Sequence, residues 1–255
     1  MIATLENRQT AHGFSLVEMA IVLAIVALLM AGLLPTLSSQ IEQQHVSETR
    51  KQLDEIQQAL IGYAITYGRL PCPASSTSNG VESFDTGSGG DASNGRCSNF
   101  YNGFVPSATL GLTTTDSSGF AIDGWGNRIH YAVTQNNSRA FTKNNGMSNT
   151  GISTLTPDLQ VCSTASASSS SCSVANSSLT SSPGVPVVIY STGKNGGYGG
   201  TGTDETENPN TNSTDNDRVF VSHTPTGSPN EFDDLVVWIS PNILINRMVT
   251  AGKLP

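Results

Sequence analysis

From Phe14 to Leu34 the chain reads FSLVEMAIVLAIVALLMAGLL, and its single charge is Glu18. A helix that is apolar all round belongs in lipid or in a protein interior. At about 1.5 Å per residue this run spans roughly 30 Å, the hydrocarbon thickness of a bilayer. A carboxylate in such a segment is costly and marks function by default, with a partner to be named. The stretch itself offers no obvious one. Pro35 follows; lacking an N–H, it is expected to kink or locally open the helix. Beyond it, Leu53, Ile56, Leu60, Ala64 and Tyr67 recur every three or four residues, while Glu48, Lys51, Asp54 and Glu55 fall off that stripe. This is the pattern of an amphipathic helix. Gly68 is its stop, enforced by Pro71 and Pro73. One long helix is therefore expected, apolar in its first half and amphipathic in its second.

The rest of the pattern is sparse. Residues 74–120 have no periodicity, and 134–182 are polar and low in complexity. Strands are expected at Ile129–Val133 after the turn DGWGN, in VPVVIYS (185–191), in RVFVS (218–222) and in DDLVVWIS (233–240). Ser240 is placed to cap a short last helix, with Pro241 at its first position, Gly252 past its end and Ile243, Leu244 and Met248 as its apolar face. The fold class expected is α+β, a small antiparallel sheet with long loops packed on the amphipathic half of the helix.

Composition changes this picture in three ways. The charged fraction is 13%, about half of the usual ~25%, so the surface is hydroxyl- and amide-rich. The net charge of −8 argues against nucleic-acid binding, which needs a basic face, and suits a chain that uses a cation. The four cysteines, Cys72, Cys97, Cys162 and Cys172, show neither CxxC nor zinc spacing. An even count after a membrane-type segment implies two disulfides made in an oxidising compartment. Three connectivities are open, of which the sequence-local one, 72–97 with 162–172, is the simplest.

Catalytic signals are weak. GYGGTG (197–202) fits GxGxxG formally, but TDETENPNTN after it is no helix to receive a pyrophosphate. GxSxG, HExxH and P-loop motifs do not occur, and the four histidines lack ligand spacing. His130, alternating with Ile129 and Tyr131, is expected at the surface. Asp123 and Trp125 fit a structural turn better than a sugar site. A cation is the stronger candidate. The loop 194–217 offers Asn195, Asp204, Glu205, Asp215 and Asp217, and the next strand opens with Asp233 and Asp234. Calcium takes six to eight such oxygens, and the set chosen is Asn195, Asp215, Asp217, Asp233 and Asp234. Asp215-Asn216-Asp217 resembles part of a calcium loop without the glycine and distal glutamate of an EF-hand. The competing reading is a solvated acidic loop.

Taken together, Gly13 before Phe14, Glu18, the apolar run and Pro35 resemble the N-terminus of the type IV pilin-like proteins, which include the type II secretion pseudopilins. The resemblance implies that a prepilin peptidase cuts between Gly13 and Phe14 and methylates the new amine. It divides the chain into a leader (1–13), a transmembrane and filament-core helix (14–35), an amphipathic half (36–70) and a head (71–255). It implies a non-enzymatic structural subunit that partners copies of itself or other pilin-like subunits. The chain would sit single-pass in the inner membrane before entering a periplasmic pseudopilus or a surface pilus. It also offers Glu18 a partner, the Phe14 amine of a neighbouring subunit. The alternatives are a minor subunit acting as tip adhesin or assembly primer, and a periplasmic hydrolase on an anchor, for which no nucleophile constellation is visible. In patches, DGWGNRIHY, YSTGKNGG and DDLVVW resemble, in order, motifs of the major pseudopilins, which implies a calcium-binding loop. This chain departs from them by an insertion of about 25 residues, by Asn195 in place of an Asp and by Phe232 in place of an acid.

Overall fold

In a computed structural model of the chain, residues 13, 15–166, 168–173, 177–196, 202–209 and 217–255 are described, with only the backbone for 31–37. The first element, α1, runs from Leu16 to Tyr67 over 52 residues. It opens with a capping box. The Ser15 N–H donates to Glu18 Oε2 at 2.8 Å, and the Glu18 N–H donates to Ser15 Oγ at 3.2 Å, so two N–H groups at the helix start are satisfied reciprocally. Glu18 thus has a partner in its own first turn that the sequence reading did not name. The helix continues through Pro35 as one element, so the proline does not end it.

The chain falls into two compact units, residues 1–44 and 45–255. In the first, the described apolar side chains of α1 are uncovered all round, from Leu16 at 91% exposure through Leu23 at 64% to Leu28 at 75%. Among the described residues no helix is long and apolar enough to cross a membrane. The expected span 14–35 lies partly outside them, at Phe14 and the side chains of 31–35.

In the second unit, Leu53, Ile56, Leu60 and Ala64 of α1 are buried as the stripe requires, joined by Ile61. The stripe ends there. Tyr67 is 58% exposed and packs on Tyr63, with ring centroids 4.3 Å apart. The reason is that Gly68, at φ 70°, turns the chain out of the helix, and Leu70 enters the core instead.

The main sheet has four antiparallel strands in the order β1 (Gly103–Phe104), β2 (His130–Val133), β4 (Val187–Ser191) and β6 (Leu235–Ile239). Tyr131 faces Ile189, and Ile189 faces Val237. The expected strand RVFVS lies elsewhere. As β5 (Val219–Val221) it pairs in parallel with β3 (Gln160–Cys162) in a separate two-stranded sheet. Its partner comes from the segment read as loop, where three residues are too few to show a period. Short helical turns α2 (Ser107–Leu110), α3 (Asn136–Arg139), α4 (Gly146–Thr150) and α5 (Thr203–Glu207) interrupt the loops. Isolated apolar residues there, Phe100, Val105, Phe141, Met147 and Leu159, are buried in the core.

Both sequence-local disulfides are present, Cys72–Cys97 and Cys162–Cys172. The last helix, α6 (Pro241–Thr250), buries Leu244 and Met248, but Ile243 is 51% exposed. Ser240 holds the cap position through its carbonyl, which accepts from the N–H groups of Ile243 and Leu244 at 3.1 Å. Its side chain makes no capping bond, contrary to expectation. His130 is also a correction. It lies between Tyr190, stacked at 4.7 Å, and Phe104 at 4.8 Å, and burial pushes its pKa down to about 4, so it packs as a neutral ring.

The DGWGN turn docks on α1. Asp123 Oδ1 accepts from the N–H groups of Trp125 at 2.9 Å and Asn127 at 2.8 Å, and Gly124 N–H donates to Thr49 Oγ1 at 2.9 Å. A Cβ on Gly124 would stand 2.6 Å from the His45 carbonyl oxygen, which belongs to helix backbone and cannot yield cheaply. Gly124→Ala is expected to cost about 1–3 kcal/mol by overpacking and to lower the thermal midpoint by several degrees. An unchanged midpoint would mean that the turn tolerates separation from the helix.

Candidate functional site

Three sequence motifs meet at one end of the sheet. Ser191, at the end of β4, donates its hydroxyl to Asp123 Oδ2 at 2.6 Å. Asn127 Nδ2 donates to the Gly193 carbonyl at 2.7 Å, and Lys194 N–H donates to Asp233 Oδ2 at 3.0 Å. The DGWGN turn, the STGKN turn and the start of the DDLVVW strand are therefore one hydrogen-bonded unit. Gly193 takes φ 63° there, and a Cβ on it would lie 2.4 Å from Asp233 Oδ1, so only glycine lets the two loops approach this closely.

At this junction Glu205, Asp233 and Asp234 bring carboxylate oxygens within 4.8 Å of one another. Glu205 is 2% exposed and Asp234 3%. Both Glu205 oxygens, Asp233 Oδ1, Asp234 Oδ1 and Asn195 Oδ1 are buried without a hydrogen-bond partner. Buried polar atoms are normally satisfied, and like charges this close oppose joint ionisation. The titration shifts agree. Burial, then the charges of Glu205 and Asp233, pushes Asp234 up to about 8, against the Asn208 amide that donates to it. Burial, with the charges of Asp233 and Glu231 adding, pushes Glu205 up to about 7, while the Asn195 side chain opposes the rise. Burial also raises Asp233. An all-oxygen, acidic donor set with unfilled lone pairs is of the kind that hard cations take.

Helix α5 of the insertion delivers Glu205. It is held by Asp204, which accepts from Thr164 Oγ1 at 2.9 Å and Ala165 N–H at 2.6 Å. Asn208 then ties the insertion to two strands. It exchanges hydrogen bonds with the Val221 backbone at 2.7 and 3.0 Å and donates to Asp234 Oδ2 at 2.7 Å.

Of the five residues chosen from sequence, Asn195, Asp233 and Asp234 come together. Asp217 does not join the acidic cluster. Its Oδ1 accepts from Val219 N–H at 2.9 Å, and its charge adds to the burial that pushes Glu207 up to about 7. Asp215 and Phe14 lie outside the described residues. Glu205, one of the acids of loop 194–217 but not of the five residues chosen from sequence, joins Asp233 and Asp234. Its distinguishing signal, burial among the three acids Asp204, Glu205 and Glu207, emerges only once the insertion folds back. Gly13 is exposed ahead of the helix.

Residues 8–34 match the prokaryotic N-terminal methylation motif. This is the signature of type IV pilins and pseudopilins, and it indicates a pilin-like chain processed by prepilin peptidase. Comparison with curated proteins and with solved structures gave no match.

Proposed function

We propose that the chain is a structural subunit of a type II secretion pseudopilus or a type IV pilus. After removal of residues 1–13, the apolar half of α1 anchors it in the inner membrane and then packs into the filament core, with the head carried outside. The observation that carries this reading is the methylation motif at 8–34 on a helix whose described apolar side chains are uncovered on every side. A contiguous exposed apolar surface of that kind needs lipid or protein to cover it. Prepilin peptidase and pilin-like subunits are the partners. Calcium is the cation proposed for Asn195, Glu205, Asp233 and Asp234, where it would replace the mutual repulsion of three carboxylates by attraction and clamp the insertion to the sheet.

The large head, with loop-borne helical turns and an inserted segment, also favours a second reading as a minor subunit at the tip or as an assembly primer. Gold-labelled antibody to the head, counted along purified filaments, tests both. Regular labelling along the length is expected for a structural subunit. Labelling at one end only selects the minor role, and unlabelled filaments contradict both.

A further inference from the structure

Away from the acidic junction, Tyr101, Gln135, Asn136, Ser138, Arg139, Asp158 and Arg218 line a cleft of about 290 Å³, close to the lower end of small-ligand sites at roughly 300 Å³. Its chemistry is lopsided toward donors. Arg139 has no carboxylate partner among the described residues, and its Nε–H is buried with no acceptor. The Arg218 Nε–H is likewise buried and unpaired. Tyr101 is 5% exposed, and its hydroxyl donates to no acceptor. Burial, then the charge of Asp158, pushes that phenol up to about 12, so it stays a donor at ordinary pH. The one carboxylate lining the cleft is already engaged. Asp158 accepts from Thr134 Oγ1 and pairs with an Arg218 terminal nitrogen at 3.0 Å.

The backbone at the cleft is strained. Asn137, Ser138 and Arg139 take φ of 51°, 54° and 64° in succession. The left-handed region is sterically disfavoured for residues with a Cβ, and such strain clusters at ligand sites. It is held by Asn137, whose Nδ2 donates to the Thr154 carbonyl at 2.9 Å and whose Oδ1 accepts from Thr156 N–H at 2.8 Å. Ser138 is thereby presented on the rim, exposed beside Gln135.

We infer that this cleft binds a carboxylate-bearing sugar, a hexuronic acid either free or as a residue of an acidic polysaccharide. Two guanidinium groups and a phenol hydroxyl supply donors for the carboxylate, since arginine matches its geometry bidentately. The amide and hydroxyl on the rim suit sugar hydroxyls, and the size admits one ring. None of the residues lining the cleft belongs to the acidic junction of Glu205, Asp233 and Asp234.

Calorimetric titration of the full-length protein in detergent micelles with galacturonate, galactose, inorganic phosphate and a galacturonate oligomer tests the inference. Galacturonate is expected to bind saturably and at least tenfold more tightly than galactose or phosphate. Arg139→Gln should weaken it tenfold or more, and Tyr101→Phe, which removes only the hydroxyl, several-fold. Arg247→Gln, at an exposed cation on α6, should leave it unchanged. Oligomer binding equal to or tighter than the monomer assigns the polysaccharide source, and monomer binding alone assigns the free acid. Equal affinity for galactose, tighter phosphate binding, or full galacturonate affinity in an Arg139→Gln protein of unchanged thermal midpoint would overturn it.

Discussion

Glu18→Gln is expected to abolish filaments while leaving processed chain in the membrane. The substitution separates the two partners available to this carboxylate. Within its own chain, Glu18 closes a capping box with Ser15, and glutamine serves that role as well as glutamate does. The start of the helix should therefore survive, and removing a charge from an apolar helix eases insertion, by up to about 2.5–3.5 kcal/mol for an acidic residue at mid-helix. What glutamine cannot supply is a negative charge for the Phe14 amine of a neighbouring subunit. Breaking a buried ion pair on one side costs about 3–5 kcal/mol, and the loss would recur at every subunit added. Electron microscopy should show few or no filaments, and fractionation should show cleaved monomer. Normal filament number and length would leave the capping box as the whole role of Glu18.

Calcium is expected to raise the thermal midpoint of the full-length protein by about 5–10 °C at pH 8. That figure follows from roughly 2.7 kcal/mol at a concentration 100 times the dissociation constant, at about 2–4 °C per kcal/mol for a domain of this size. The effect should shrink at pH 5, for a reason that fixes its sign. The folded-state pKa values of Glu205, about 7, and Asp234, about 8, lie above those of the unfolded chain, near 4. Between pH 4 and 8 the native state therefore holds more protons than the unfolded one, and without calcium stability falls as pH rises through that window. Calcium competes with those protons, so it stabilises most where they have left. Glu205→Gln should erase the calcium response and flatten the fall, whereas Asp217→Asn should keep both. A midpoint indifferent to calcium and chelator at pH 8 would return the cluster to a buried acidic junction without a cation.

The contrast between Glu205 and Asp217 shows where sequence ran short. Asp217 belongs to the run Asp215-Asn216-Asp217, whose likeness to part of a calcium loop favours it from sequence. Glu205 lies about 30 residues from Asp234 and reaches it only because Asn208 bonds the Val221 backbone and Asp234 together. No local pattern encodes that closure. Where many residues share a period, the reading carried through. The α1 stripe from Leu53 to Ala64 and the strands β2, β4 and β6 are long enough for periodicity to speak. The β3–β5 pairing is three residues long and parallel, and Phe141 and Met147 stand alone among polar neighbours, so neither leaves a periodic trace. Tyr67 keeps the helical spacing but lies past the point where α1 meets the core, whereas Ile243 lies off the Leu244–Met248 face by which α6 packs on it. The Arg139 cleft is assembled from four loop segments, and its strained turn has no glycine to announce it.

The filament reading rests on one processing event, and the mass of the chain in purified filaments tests it most directly. Filaments sheared from cells and analysed by intact-mass spectrometry should contain this chain without residues 1–13, starting at an N-methylated Phe14 and lighter by four hydrogens for its two disulfides. A chain that begins at Met1, that is cut after Leu34, or that stays in the membrane fraction while filaments form without it would contradict the account.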